Sequence, residues 1–314
     1  MPETKPTPHT RHKLIDATDP SVPREHAMSN INGPSVIEAP TWLRHAPGRY
    51  LMYFAHHLGS HIRLAYADDP AGPWQSWSSG VLHVDDTPSE GLVPHVASPD
   101  VHVDHENQRL VMYFHCPVGE RVGGHLPCWQ TSGTQKTLLA TSDDGLTFTV
   151  LAPHRAISNS YLRMFRWREH WYGMAMSSQL VRSPTGICDF EVGPNLFGDQ
   201  RLRHNALLVD GDRLGIWFTR IGDAPERILY SSVELTADWH DWHPSEPVEV
   251  LRPTEPWEGA ELPVTASEIG PALEPEHALR DPFVFDAEGR RWMIYAAAGE
   301  SALGAVQLHV GPAS

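Results

Sequence analysis

The feature that most constrains this sequence is a short two-strand pattern that returns along the chain. Residues 97–104 and 109–115 show it clearly: the first stretch opens on small residues, a proline and Asp100, and the second is apolar and aromatic. Similar pairs begin near residues 36, 98, 160, 204 and 280, each followed by further short strands and turn residues. Five such units predict an all-β fold, a five-bladed β-propeller, because radial repetition protects the edges of the sheets.

A two-sheet β-sandwich would also contain many short strands. The propeller is favoured because three elements return in the same order: an opening strand, an aromatic-rich second strand, and a third strand that ends before an acidic turn. Residues 1–27 contain prolines and charges without periodicity, so we expect a flexible N-terminal arm there. Residues 28–314 are then expected to form a single propeller domain.

The composition argues against several classes of partner. The chain has 24 Lys and Arg against 39 Asp and Glu, a net charge of -15, which disfavours binding to nucleic acid or to an anionic membrane. No apolar run is long enough to span a bilayer, and the first ten residues lack a secretion signal. Cys116, Cys128 and Cys188 are an odd number without metal-ligand spacing, so we expect a reduced, cytoplasmic protein.

Several segments resemble the five-bladed propeller glycoside hydrolases of families 43, 32, 68, 62 and 117. The segments that carry the resemblance span most of the chain from Gly33 onward: residues 50–54, 62–68, 72–74, 98–101, 141–148 and 280–282. The resemblance implies a glycosidase that acts on an oligosaccharide or another small-molecule substrate in a central funnel. Cleavage of a glycoside needs one deprotonated carboxylate and one protonated group across the scissile bond.

The carboxylates on the predicted opening strands are the catalytic candidates. Glu38 lies on an otherwise apolar strand, where a carboxylate is costly unless it faces a polar cavity, and either Glu38 or Asp100 is expected to activate water. Asp281, within the Arg-Asp-Pro of residues 280–282, is similar to the transition-state-stabilising motif of the family. The proton donor is expected in the insertion at residues 244–279, from Glu261 or Glu258, with His204 as an alternative.

The other candidates are polar, cationic or aromatic side chains expected to contact the substrate. Asp100 and His102 alternate on one strand, so their side chains point to the same face. The arginines and imidazoles suit an anionic sugar, unless the arginines only neutralise the carboxylates. The complete set of predicted binding residues is His57, His95, His102, Arg163, Arg203, His204, Asn205, Arg280 and Trp257.

The histidine spacing matches no metal motif, so no metal ligand is predicted and no cofactor is required. The resemblance leaves open a calcium or other divalent ion in the central channel, as in some relatives. The predicted function is exo-acting hydrolysis of a short or modified sugar in carbohydrate metabolism, and inversion would require two carboxyl groups roughly 6.5–9.5 Å apart. Two alternatives stay open. One is a non-hydrolytic lyase, isomerase or cyclase, with or without metal assistance, and the other is a sugar-binding propeller without turnover.

Overall fold

The computed structural model describes residues 6–22, 30–89, 94–118, 135–152 and 156–309, so Cys128 lies outside the described residues. The strands are, in chain order, β1 (Thr7–Asp16), β2 (Asn32–Glu38), β3 (Tyr50–Ala55), β4 (His61–Ala67), β5 (Gln75–Ser76), β6 (Leu82–His83), β7 (Ala97–Asp104), β8 (Arg109–Pro117), β9 (Gln135–Ser142), β10 (Thr149–Val150), β11 (Ser158–Asn159), β12 (Arg163–Trp167), β13 (His170–Ala175), β14 (Gln179–Ser183), β15 (Glu191–Asn195), β16 (Leu202–Asp210), β17 (Arg213–Arg220), β18 (Ile228–Glu234), β19 (Val248–Leu251), β20 (Leu279–Ala287), β21 (Arg290–Ala297) and β22 (Ala302–His309).

Helical structure in these ranges is limited to short 3₁₀ segments: Val84–Asp86, Met176–Ser178, Trp239–Asp241 and Pro256–Glu258. Within the described part of the chain, none of the helices has the length and apolar character that crossing a membrane requires.

The strands form five antiparallel sheets, which are the five blades of a propeller. Blade 1 contains β2 to β5 with β6 beside β4, and blade 2 contains β7 to β10 with β11 beside β9. Blade 3 is β12 to β15, blade 4 is β16 to β19, and blade 5 is β20, β21, β22 and β1. The inner strands β2, β7, β12, β16 and β20 pack around the central axis. The predicted all-β, five-bladed propeller is confirmed.

The N-terminal segment departs from the flexible arm predicted for residues 1–27. Strand β1 is the outer strand of blade 5 and pairs antiparallel with β22, from Thr7 opposite His309 to Asp16 opposite Ala302. The sequence lacks a strong apolar alternation here because the side chains of this outer strand are exposed or only partly buried, apart from Ile15. The prediction is therefore wrong for residues 7–16, which close the ring of blades.

Apolar side chains from neighbouring blades form the core between them. The second strand of blade 1, β3, is buried over its whole length, and its Tyr53 packs in one cluster with residues of blade 2. The Tyr53 hydroxyl donates to the carbonyl of Gly145 in blade 2 at 3.0 Å, and Tyr113 makes the equivalent bond to Gly186 in blade 3 at 2.8 Å. These bonds satisfy buried hydroxyl groups and fix each blade against the next.

The two ends of the channel are formed by different parts of each blade. We call the end at which the inner strands begin the upper end, and the end at which they finish the lower end. Because the second strand runs back antiparallel, the turn between the second and third strands of each blade also lies at the upper end. The upper end therefore collects side chains from two places in every blade: the start of the inner strand and the turn between the second and third strands.

Candidate active site

Three inner strands begin with the same irregularity. Gly33, Ser98 and Asp281 each have a positive φ, of 59°, 48° and 46°, each precedes a proline, and each falls where the pairing register shifts. At Gly33 the lack of a side chain matters, because a Cβ there would lie 3.0 Å from the Cα of Ser98. Asp281 carries a carboxylate at this position and is held in a backbone conformation that non-glycine residues rarely adopt.

A row of rings leads from blade 2 to Asp281 in blade 5. The ring centroids of His95 and His115 are 6.4 Å apart, those of His115 and Tyr161 are 4.9 Å apart, and those of Tyr161 and His204 are 4.8 Å apart. At the end of the row, His204 Nε2 lies 3.3 Å from Asp281 Oδ1. The three imidazoles and the carboxyl group are all buried, so they form one connected polar cluster inside the upper end.

His204 is neutral, and its ring N–H points to the carboxyl group of Asp281 as a hydrogen-bond donor. Burial lowers the pKa of His204 well below its usual value, and the nearby charges of Arg203 and Arg280 lower it further. The backbone N–H of Asp281 can only donate, and it faces His204 Nδ1 at 3.4 Å. Nδ1 is therefore the acceptor, and Nε2 carries the hydrogen that points to Asp281 Oδ1.

The environment of Asp281 favours a protonated carboxyl group. Burial raises its pKa to about 7, and the charge of Glu300 also raises the pKa against the opposing effect of Arg203. Its Oδ2 atom is buried and has no hydrogen-bond partner among the described residues. A carboxyl group with a raised pKa and an unpaired oxygen has the properties of a general acid.

Glu300, in the turn between β21 and β22, is an ionised partner close to this acid. Burial alone would raise the pKa of Glu300, but His57, Arg280 and Asn30 together lower it well below its usual range. His57 Nδ1 lies 3.2 Å from Glu300 Oε1, and a carboxylate can only accept, so the imidazole donates there. Glu300 thereby fixes the ring orientation of His57, as the carboxylate does in a hydrolase triad.

The two arginines of the cluster are fully engaged with acceptors of the protein. Arg203 donates to both oxygens of Glu226, at 3.1 and 2.8 Å, and to the carbonyl of Glu268 at 2.7 Å. Arg280 donates to Glu226 at 2.7 Å, to Glu276, and to Glu300 at 3.4 Å. These guanidinium groups neutralise buried carboxylates, so neither presents an unpaired cation for an anionic substrate.

The guanidinium of Arg163 lies on the channel axis and links the blades. It donates to the carbonyls of Pro34 at 3.0 Å, Pro99 at 2.7 Å and Asn205 at 3.3 Å, and it lies 5.3 Å from the ring of Phe283. Blade 3 is thus connected to all four other blades. These carbonyl oxygens already accept from a cation, so they do not fit a divalent ion in the channel.

Asp100 is buried and lies beside Arg163, and it makes no hydrogen bond to the residues of the cluster among the described residues. It accepts from Met164 N and from His102 Nε2, each at 2.8 Å, and lies 3.4 Å from Arg163 Nη1. Burial alone would raise its pKa, but His102, Arg163 and the Met164 N–H lower it, so Asp100 stays ionised. Asp100 and His102 line a cavity at the lower mouth of the channel, and His102 also lines a cavity between blades 2 and 3.

Glu38 cannot act with Asp281. It is the last residue of β2, at the lower end, where its side chain is 54% exposed and pairs with Arg49 Nε at 2.9 Å. A strand of this length spans about 20 Å, so Glu38 is that far from the upper end. The prediction assumed that a carboxylate on an apolar strand must face a polar site. Glu38 instead lies at the end of the strand, where the side chain leaves the core and is exposed to solvent.

The glutamates expected as proton donors in the insertion at residues 244–279 do not reach the cluster. Glu261 is exposed, whereas Glu258 is fully buried and accepts from the Tyr295 hydroxyl at 2.7 Å and from the Thr254 N–H at 2.8 Å. The Trp257 ring stacks on Tyr295, with centroids 6.3 Å apart. Trp257 therefore packs inside blade 5 instead of forming a wall of the cluster.

Of the predicted residues, the structure brings six together: His57, His95, Arg203, His204, Arg280 and Asp281. Asn205 lies between blades 3 and 4, where its side chain donates to the carbonyls of Tyr161 and Met174. The prediction missed four members of the cluster: His115, Tyr161, Glu226 and Glu300. Glu300 could have been predicted from its position, because it follows the second strand of its blade, as His57 does. No group of three or more His, Cys, Asp or Glu arranged for a metal ion occurs in the described ranges.

No family model matches the sequence. A GH43 β-xylosidase/α-arabinofuranosidase from a compost microbial metagenome, solved with xylotriose, has a TM-score of 0.63 at 9% identity, covering 98% of this chain and 96% of its own. A thermostable family-43 glycoside hydrolase has a TM-score of 0.60 at 12% identity, covering 99% and 94%.

An exo-β-1,3-galactanase from Phanerochaete chrysosporium, with β-1,3-galactotriose, has a TM-score of 0.60 at 11% identity, covering 95% of this chain and 64% of its own. The predicted resemblance to these propellers is thereby confirmed at the level of the fold. At the level of sequence, an uncharacterized protein of Acanthamoeba polyphaga mimivirus is 36% identical over 313 residues, 89% of this chain and 83% of the relative. The chain therefore belongs to the same protein family as this mimiviral protein, on the five-bladed fold of the GH43 glycoside hydrolases.

Proposed function

We propose that the protein is a glycosidase that cleaves a short neutral sugar in the upper-end cluster by general acid–base catalysis. The observation that supports this most directly is Asp281: a buried carboxyl group with a raised pKa, an unpaired Oδ2 and a neutral His204 on its other oxygen. This combination supplies the protonated group that glycoside cleavage requires.

In the proposed mechanism, Asp281 Oδ2 gives its proton to the glycosidic oxygen as the bond to the anomeric carbon breaks. The His204 N–H on Oδ1 stabilises the carboxylate that forms. His57, oriented by Glu300, takes a proton from the water that attacks the anomeric carbon. The water adds from the opposite face, so the configuration inverts. Return of the proton from His57 to Asp281 through solvent completes the cycle, and no step requires a metal.

The charge balance supports a neutral substrate and replaces the anionic sugar of the sequence-based expectation. Arg203 and Arg280 are bonded to Glu226, Glu276 and Glu300, so a uronate or a sulfate would have to displace these internal partners. Breaking a buried ion pair costs roughly 3–5 kcal/mol. A neutral pyranose instead needs hydrogen-bonding groups and ring faces, which the imidazoles and Tyr161 provide.

A second candidate function is favoured by one specific observation. The imidazole of His115 is buried, burial lowers its pKa well below the usual value, and its Nδ1 has no hydrogen-bond partner among the described residues. A neutral imidazole and a protonated carboxyl group in one cluster can also remove and return a proton on carbon. This chemistry corresponds to a lyase or isomerase of a sugar-like substrate.

The test is product analysis on a panel of neutral and acidic oligosaccharides and aryl glycosides, with the wild type and Asp281→Asn. Asp286→Asn is the matched control, because Asp286 lies on the same strand but is exposed and bonded to Arg291. We expect release of a reducing sugar from a neutral substrate by the wild type and the control but not by Asp281→Asn. An unsaturated or isomerised product would support the second candidate, and unimpaired hydrolysis by Asp281→Asn would contradict the first.

A further inference from the structure

A second cavity opens on the lower side of the molecule, between blades 2 and 3. Its volume is about 670 Å³, and it is lined by β7, β8, the start of β13 and the turn after β14. The upper-end cluster contributes none of its lining residues. A volume of this size is in the range that binds small ligands.

One polar side chain in this cavity is held in a fixed orientation. His102 Nε2 is 2.8 Å from the buried Asp100 Oδ2, and the His102 side chain is 24% exposed. Asp100 is in turn fixed by Met164 N and Arg163. Since Nε2 donates to the carboxylate, Nδ1 is left as the acceptor for a ligand hydroxyl group.

Aromatic rings enclose the same imidazole. The rings of Trp171 and Tyr113 meet His102 at nearly right angles, with centroids 5.4 and 5.8 Å away, and both line the cavity. Tyr113 is locked because its hydroxyl donates to Gly186 O at 2.8 Å. Gly186 also packs on the Trp171 ring, where an added Cβ would lie 2.9 Å away. The walls of the cavity are therefore rigid.

The charges of the lining cancel. Asp104 and Glu106 are balanced by Arg109 and Arg166, and Arg109 Nε is bonded to Asp104 Oδ2 at 2.9 Å. Arg166 also lines a neighbouring cavity of about 400 Å³ at the lower mouth of the channel. A lining with an aromatic wall, a fixed imidazole and no net charge matches the surface of a neutral sugar, whose C–H face packs on an indole while its hydroxyl groups form hydrogen bonds.

We propose that this cavity is a second binding site for a neutral oligosaccharide of two or three units, separate from the upper-end cluster. His102 is the hydrogen-bonding residue, Asp100 positions it, and Trp171 supplies the stacking surface. The site binds sugar without cleaving it. The proposal does not depend on hydrolysis at Asp281.

Isothermal titration calorimetry of the full chain with xylotriose and with β-1,3-galactotriose tests the proposal. The Asp281→Asn background prevents turnover, and His102→Gln and Trp171→Leu are added separately, with His45→Gln at an exposed position as the control. Melting temperatures establish that each variant is folded, and the milder His102→Gln is decisive if Trp171→Leu does not fold.

We expect each lower-site change to lower the number of sugars bound by one, or to weaken one class of sites at least tenfold, whereas His45→Gln changes neither. If the upper cluster also binds sugar, the number falls from two to one; if it does not, the number falls from one to zero. A failure of the proposed hydrolase is thereby distinguished from a failure of this second site. Unchanged binding in the lower-site variants, or no binding of either sugar to any form, would overturn the proposal.

Discussion

Asp100 and Asp281 are both buried aspartates on inner strands, yet their environments have opposite effects. Asp100 has hydrogen-bond donors on its oxygens and a guanidinium beside it, so its pKa is lowered. Asp281 has one donor, an unpaired Oδ2 and the negative charge of Glu300 nearby, so its pKa is raised. Burial alone does not decide the state of a carboxyl group; the number and charge of its partners do.

The surroundings of the two aspartates differ in the same way. The hydrogen bonds of Arg163 join blade 3 to three other blades, and its charge is balanced by Asp100. Around Asp281 the backbone is strained, an acceptor is unpaired, and a carboxylate of like charge is close. One region holds the propeller together, and the other keeps the less stable arrangement that the proposed proton transfer requires.

The largest expected effect is the difference between Asp281→Asn and Asp100→Asn. Loss of a general acid lowers the rate by roughly 10²–10⁴-fold, so we expect a fall in kcat of this size for Asp281→Asn with little change in melting temperature. Asp100→Asn should keep kcat within about tenfold, by the same scale, but lower the melting temperature. Steady-state kinetics and thermal unfolding of both variants decide it, and the reverse pattern would return Asp100 to the active site.

The next effect concerns Arg163. Arg163→Met removes three bonds to other blades and leaves Asp100 buried without its cation, so we expect a loss of about 3–5 kcal/mol in the free energy of unfolding. Arg166→Met, at an exposed position on the same strand, is the control and should change stability by less than about 1 kcal/mol. Urea denaturation measures both. Equal free energies of unfolding for the two variants would contradict the proposed role of Arg163 in joining the blades.

A smaller effect is expected in the pH profile. A general acid must be protonated, so activity should fall as the pH rises through about 7, the value to which burial and Glu300 raise the pKa of Asp281. Glu300→Gln removes a negative charge, which makes ionisation of Asp281 easier and should move this limb to lower pH. The pH dependence of kcat/KM for both proteins measures the shift. A limb that stays in place would mean that another group titrates there.

The smallest effect is expected for Glu38→Gln. The side chain is exposed and its ion pair with Arg49 is a surface pair, worth about 0.2–1 kcal/mol. Because Glu38 lies at the opposite end of the channel, kcat should remain within about twofold of the wild type, a change of roughly 0.4 kcal/mol. A large loss of activity with an unchanged melting temperature would place a reaction at the lower end.

The fold was predictable because its signal is local. Alternating apolar residues and turn residues recur in each unit, and strands such as β3 and β8 are buried where the pattern indicated. The outer strand β1 was not predicted because a strand whose side chains are exposed or only partly buried needs no apolar alternation. Its partner, β22, lies at the other end of the sequence, and no local pattern reports such a pairing.

The site was predictable only in part, because its members come from two kinds of position. Asp281 and His204 were found because charged residues at the start of an inner strand are conspicuous in the sequence. Glu226 and Glu300 are acids in turns, where acids are common, and only the three-dimensional arrangement places them beside Arg280. Likewise, Arg163 is cationic as expected, but its carbonyl partners belong to three other blades.

The pairing of β1 with β22 also affects how the chain is made. During synthesis β1 leaves the ribosome before the other strands of the propeller, and its partner β22 follows after all of them. Blade 5 therefore cannot be completed until then, and β1 is exposed without its hydrogen bonds in the meantime. The charges of Arg11 and Lys13 on this strand make premature pairing with another nascent chain less favourable.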